Sequence, residues 1–161
     1  MRRRHRHSAI LRPLARNEAG AALVEFSLLA PFLVFLALGM TEFGRFLYHY
    51  QMVLEGLRDA GRYIARLDPT NATNQTNARN LAVFGAINGS GTARVPGWTT
   101  ANISFNPQTI SNSAGTYRGP ATIRVVEVTT TFSYADVGFL SVLGLGSISV
   151  NAAHEQRVIE E

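Results

Sequence analysis

The chain opens, after a polar leader, with one long helical pattern whose character changes partway. Residues 26–41 carry no charged side chain. A helix through residues 21–40 offers about 20 residues at about 1.5 Å each, enough to cross a hydrocarbon core of about 30 Å. Beyond it, Phe43, Phe46, Leu47, Tyr50, Val53, Leu54, Leu57 and Ile64 recur at three- and four-residue steps, while Glu42, Arg45, His49, Glu55, Arg58, Asp59, Arg62 and Arg66 fill the other side. This predicts an amphipathic continuation of a membrane helix. Glu42 with Arg45 and Asp59 with Arg62 form i,i+3 pairs, each worth roughly 0.2–0.5 kcal/mol. Asp68-Pro69 predicts the stop, because the residue before proline is pushed out of the helical region. Pro31, Gly39 and Gly44 are candidate bends.

An apolar stripe cannot face water unaided, so the second half of the helix requires a domain packed on it. The remaining chain supplies one. Residues 70–77 read as a polar loop, and residues 78–87 (ARNLAVFGAI) as a short helix stopped at Asn88-Gly89-Ser90-Gly91. Residues 103–106, 122–134 and 148–156 read as strands rich in β-branched residues, with turns at Asn106-Pro107 and Arg118-Gly119-Pro120. In the middle strand, Ile123, Val125, Glu127 and Thr129 alternate with Thr122, Arg124, Val126, Val128 and Thr130, and both faces are partly apolar. Residues 139–145 (FLSVLGL) predict a further short helix or a loop on the membrane-proximal face. The fold class is α+β: a long N-terminal helix, membrane-spanning in its first half and amphipathic in its second, packed on a small antiparallel β-sheet. The expected organisation is a cytoplasmic basic leader over 1–20 that is cleaved, a transmembrane helix over 21–41, its amphipathic extension over 42–67, and a small extracytoplasmic α+β domain over 68–161.

Charge sharpens this picture. The net charge of +4 over 161 residues resembles a nucleic-acid signature. Its distribution argues otherwise. Arg2, Arg3, Arg4, Arg6, Arg12 and Arg16 stand against Glu18 alone in the first twenty residues, whereas the rest holds nine arginines against ten acids. Basicity thus belongs to the leader, which is expected to be disordered, and no nucleic-acid partner is expected. An arginine cluster before an apolar span stays on the cytoplasmic side, giving N-in, C-out topology with the lipid bilayer as a partner. Cysteine is absent, which excludes disulfides, thiol nucleophiles and cysteine zinc sites.

The chemistry concentrates at the start of the span. Glu25 is a lone carboxylate near the beginning of an apolar helix, where an ionisable group is costly enough to be treated as functional. Its bland reading is an interfacial residue that snorkels to the headgroups or stays protonated, with no specific partner. Gly20 precedes it by five residues, followed by the small Ala21. A glycine lets the backbone enter a protease groove in extended form, so a cut between Gly20 and Ala21 is the candidate processing event. Cleavage creates an amine at Ala21, one helical turn from Glu25, and the two neutralise each other where isolated charges are expensive. A secretory signal peptide also has a basic start and an apolar middle, with Ala37-Leu38-Gly39 as a possible cleavage site. Three features argue against it: a leader of 39 residues, an overlong apolar run, and Glu25 within that run.

Gly20, Glu25 and Phe26, then Pro31 and the segment Gly39-Met40-Thr41-Glu42-Phe43-Gly44-Arg45, resemble the TadE-like pseudopilins of the tight-adherence (Tad/Flp) pilus. The likeness continues through Ala60-Gly61-Arg62-Tyr63-Ile64-Ala65, and further on through Ala78-Arg79-Asn80-Leu81-Ala82-Val83-Phe84-Gly85, Val95-Pro96-Gly97-Trp98 and the terminal strand. What the resemblance implies is a minor type IV pilin or pseudopilin of a bacterial inner membrane. It would be cut and N-methylated by a prepilin peptidase, with Glu25 and Phe26 as the processing and assembly motif. It would be retained in the membrane, with a periplasmic C-terminal domain, or built into the extracellular pilus. Implied partners are the prepilin peptidase, other pilins and pseudopilins, and the inner-membrane assembly platform. The implied role is adherence and biofilm formation without catalysis or cofactor. A chain with so large an outer domain departs from the very short main pilins, which favours a minor, tip or assembly role. The alternative function is an unprocessed single-pass membrane anchor presenting a periplasmic binding module.

Other residues carry weaker signals. His49 and His154 are separated from acidic clusters and read as surface or capping positions. Asp68, Glu127 and Asp136 form no calcium-loop pattern, and no nucleophile motif such as Gly-x-Ser-x-Gly occurs. Four Asn-x-Ser/Thr matches, at Asn71, Asn74, Asn88 and Asn102, are expected by chance in so Asn- and Thr-rich a chain. Trp98, Phe105, Tyr117, Phe132 and Tyr134 read as core filling for a small sheet, ahead of an adhesive surface. Gly56 and Ala60 form a small-xxx-small pair that permits close helix approach or simply faces the sheet.

Overall fold

The computed structural model describes residues 18–159. The expected arginine-rich leader falls, but for its last three residues, outside them. Two compact units divide at Thr41 and Glu42.

Helix α1 runs over Glu18–Ile64 without interruption by Pro31, Gly39 or Gly44. It ends three residues earlier than its sequence pattern predicts. The last turn tightens instead: Arg66 N donates to Tyr63 O and Leu67 N to Ile64 O, both to the carbonyl three residues back. Helix α2, Ala72–Phe84, begins six residues before the predicted start and replaces most of the expected loop. Its Thr- and Asn-rich first turn forms because the Asn71 side chain accepts from Thr73 N at 2.9 Å and Asn74 N at 3.3 Å. It stops at Gly85, not at the later Asn-Gly pair, since Gly85 takes the left-handed conformation at φ 74° and returns its N–H to Leu81 O.

A single 3-10 turn, Thr100–Asn102, leads into an antiparallel sheet of β1 (Ile103–Ser111), β2 (Thr122–Ser133) and β3 (Ser149–Arg157), in that spatial order. Strand β1 is five residues longer than its sequence suggests, and Asn106-Pro107 is not a turn: Pro107 lies opposite Val126. Proline is tolerated there because β1 is an edge strand, whose outward N–H positions need no partner. Asn112 organises the loop that follows. Its side chain donates to Tyr117 O and Pro120 O and accepts from Tyr117 N.

The core of the second unit lies between the sheet and the helices. Val53, Leu57, Ala60 and Ile64 of α1 meet Ala78, Ala82 and Val83 of α2, and Val126, Val128, Phe132 and Val150 of the sheet. From Val126 to Phe132, alternation along β2 sends the even-numbered residues inward; Ile123 and Val125, though shielded, are not part of this core. Trp98, 1% exposed, sits at the centre, and its indole N–H donates to Thr130 Oγ1 at 2.9 Å. Thr130 Oγ1 in turn donates to Asn102 O, which is how a hydroxyl is accommodated in the core. Phe132 and Tyr134 are core residues as expected, whereas Tyr117 is exposed. Gly56 faces α2 and Trp98: a Cβ there would lie 2.6 Å from both Ala82 O and Trp98 Cη2. The residues expected as its apolar stripe divide. Phe43 and Leu47 stay exposed, and Glu42 is buried in their place.

Candidate processing and assembly site

The four residues of the predicted processing motif fall at the start of α1. Gly20 and Ala21 lie in the first described turn of α1. Glu25 and Phe26 follow one turn on, both exposed in the isolated chain. Among the described residues Glu25 has no hydrogen bond or ion pair. The helix from Gly20 is long and apolar enough to cross a membrane, and its most apolar window is wholly unburied. That fits a single-pass membrane protein. The side-chain hydroxyls present are turned back on the helix: Ser27 Oγ donates to Val24 O at 2.8 Å and Thr41 Oγ1 to Ala37 O at 2.9 Å. Such back-bonding removes the need for an outside partner in an apolar setting.

A second constellation, of which the sequence predicts only the Glu42 with Arg45 pair, stands where the charged part of α1 begins. Glu42 is 7% exposed and accepts from Tyr134 Oη at 2.8 Å and from Arg45 Nη2 at 3.1 Å. The Glu42 with Arg45 pair expected from i,i+3 spacing is therefore present. Arg45 Nη2 also donates to Ala135 O at 2.7 Å, and its guanidinium lies 5.3 Å from the Tyr134 ring centre. Phe46 meets the same ring edge-on, and His49 packs beside it. Burial alone would raise the Glu42 carboxyl, but the hydrogen bonds from Arg45 and Tyr134 outweigh it and hold the group below its ordinary value. Burial, then the bond to Glu42, pushes Tyr134 up to about 12. His49 is pushed down, by burial first and by the Arg45 charge second.

Helical arithmetic could have found part of this. The buried stripe Ile64, Ala60, Leu57 and Val53, continued by the half-buried Tyr50 and Phe46, extrapolates at about 3.6 residues per turn to Glu42, not to Phe43. Its partner Tyr134 carries no such signal. The expected pairing of Asp59 with Arg62 does not form; Asp59 Oδ2 instead meets Arg94 Nη2 at 2.9 Å, at a shallow groove lined also by Arg62, Tyr63 and Arg66. Neither histidine is a free surface or capping group. His49 Nδ1 and His154 Nε2 are shut off from solvent without a hydrogen-bond partner, and His154 lies against Gly61, where a Cβ would come within 2.9 Å. Among the described residues, no three His, Asp or Glu side chains come together as a metal site.

No curated protein and no solved structure matches the chain. Residues 20–62 match the family model described as TadE-like protein. The match begins at the glycine of the candidate cleavage site and ends within the last turn of α1. Over this helix the chain is similar to TadE-like proteins, a likeness in keeping with the Tad pilus system.

Proposed function

We propose that the chain is a minor pilin or pseudopilin that a prepilin peptidase cuts after Gly20 and that contributes to Tad/Flp pilus assembly, and through it to adherence and biofilm formation. The observation that carries this reading is that the family match starts at Gly20 and takes in Glu25. In this reading the chain has no catalytic activity. It sits in the bacterial inner membrane with its N-terminus cytoplasmic and its C-terminal domain periplasmic, or it enters the pilus. Other pilins, pseudopilins and the assembly platform are its partners.

The physical support is the state of Glu25. A carboxylate within an apolar span needs a partner, and removal of the leader supplies an ammonium at Ala21, one turn back on the same helix. The pairing works within one subunit or between neighbours. Intact-mass analysis of the membrane-extracted protein tests the proposal. Ala21 as the N-terminus, with or without a methyl group, is the expected result. An N-terminus at Met1 or the residue after it supports the unprocessed anchor with a periplasmic binding module and ends the pilin reading.

A further inference from the structure

The seventeen residues from Val137 to Ala153 carry no charge, and among them Val137, Val142, Leu143 and Leu145 are 70%, 72%, 48% and 56% exposed. Such a cluster on a loop of a protein in water is unfavourable, and a larger exposed apolar patch marks an interaction surface. Five of its backbone N–H groups are bonded locally. Leu140 N donates to Asp136 Oδ2, Val142 N to Gly138 O, Leu143 N to Phe139 O, Gly144 N to Ser141 O and Leu145 N to Leu140 O. Ser141 Oγ donates to Gly138 O as well. These bonds build a short helix α3, Phe139–Val142, between Gly138 and Gly144, both at positive φ. A knob that satisfies part of its polar backbone internally enters an apolar medium at less cost than a fully open loop.

Its anchorage indicates which apolar medium. The loop springs from Tyr134 and Ala135, which are held by Glu42 and Arg45. Arg45 is four residues past Thr41, the last uncharged position of the span. At about 1.5 Å per residue that is about 6 Å of helix, and the polar interface adds about 5–7 Å to each side of the hydrocarbon core. In sequence, Glu42 and Arg45 of the anchor thus lie within four residues of the end of the span.

We propose that the apolar knob of residues 137–145 seats in the boundary between headgroups and acyl chains of the bilayer crossed by the N-terminal helix. The ligand is a lipid surface, and the contact is a second, peripheral membrane attachment. The inference rests on the membrane-spanning role of α1 and is independent of cleavage at Gly20.

The absence of cysteine makes the test direct. Single cysteines replacing Leu33, Val142 and Ile110 are spin-labelled in the full chain. Each variant is reconstituted in vesicles of phosphatidylethanolamine and phosphatidylglycerol. Collision with oxygen and with a water-soluble nickel chelate is then compared. The Val142→Cys label is expected to favour oxygen severalfold over the chelate, as the Leu33→Cys label does, while Ile110→Cys shows the reverse. Chelate access at Val142→Cys equal to that at Ile110→Cys overturns the inference. So does a label shielded from both reagents, which means that protein covers the knob. Chelate access at Leu33→Cys removes the membrane-spanning premise itself.

Discussion

The hydroxyl of Tyr134 donates to Glu42 Oε1 at 2.8 Å, linking two residues 92 positions apart. The same oxygen accepts from Arg45, and Arg45 reaches on to Ala135 O, so the residues just past β2 are tied to α1 by two polar contacts, one to Glu42 and one to its partner Arg45. A buried charge held this way is stabilising only while its partners remain, because desolvation has already been incurred.

Tyr134→Phe removes the shorter of the two bonds to Glu42 and keeps the ring that packs on Phe46 and His49. A hydrogen bond to a charged group contributes about 1.5–3 kcal/mol, and that is the expected loss of unfolding free energy. The one tryptophan of the chain, Trp98, is buried in the same unit, so denaturant titration of the micelle-solubilised protein by indole emission reads it out. Arg94→Ala, which breaks the partly exposed pair with Asp59, is expected to cost under about 1 kcal/mol in the same assay. Equal losses in the two variants would contradict the special standing of Glu42.

The same cluster sets a pH dependence. The folded state depresses both His49 and Glu42, so in each case the unfolded chain binds the proton more readily. For His49 the stabilisation is complete above its ordinary value of 6.5 and is lost as pH falls through its lower folded value. For Glu42 it is complete above the ordinary value of 4.5 and is lost as pH falls through its lower folded value. Stability should therefore decline on acidification in two stages, beginning below about pH 6.5. In His49→Gln the first stage should vanish from the pH series of denaturation midpoints while the second survives. A first stage unaltered by that substitution assigns it to another group.

The elements that local period determines were legible in the sequence, and those set by distant partners were not. The apolar span, the stripe Val53, Leu57, Ile64 and the last two strands follow from spacing alone. Asn106-Pro107 read as a turn because proline lacks a ladder donor, and only the edge position of β1 removes that objection. The start of α2 was hidden because its stabilising feature is one capping side chain, Asn71, ahead of residues of middling helix propensity. Asp59 had two arginines within reach, one nearby on its own helix and one 35 residues away, and the tertiary partner won. Of the candidate site, Gly20, Ala21, Glu25 and Phe26 were visible as residue types at a spacing. The Glu42, Arg45 and Tyr134 cluster needed the fold.

Gly56 is where α1, α2 and Trp98 come closest. An alanine methyl would stand 2.6 Å from the Ala82 carbonyl oxygen and from the indole edge, and neither backbone nor a fully buried ring can withdraw freely. The gain of about 1 kcal/mol in helix propensity from Gly→Ala is therefore overtaken by overpacking, typically 1–3 kcal/mol and more when backbone is struck. Gly56→Ala should lower the denaturation midpoint and shift Trp98 emission. Gly44→Ala is the control: a methyl there meets nothing within 4 Å, and stability should hold or rise. A neutral Gly56→Ala would mean that the two helices separate at little cost.

Glu25 lies in the exposed apolar half of α1, four residues from the terminus that cleavage after Gly20 would create. Under the proposed role, the new ammonium and this carboxylate cancel in a medium where either alone is unfavourable. Removing one partner of a desolvated pair is destabilising by about 3–5 kcal/mol, equivalent to about two to three and a half orders of magnitude in association at about 1.4 kcal/mol per decade. Glu25→Ala should accordingly leave cutting at Gly20 intact, as judged by mass, yet abolish co-purification with other pilins from membranes. Glu25→Gln, similar in size but uncharged, should fail equally, and Glu25→Asp should restore part of the interaction. That ordering separates charge pairing from packing, because a packing role would let glutamine substitute. Assembly that proceeds normally with alanine at this position would show that the ammonium finds its counter-charge elsewhere.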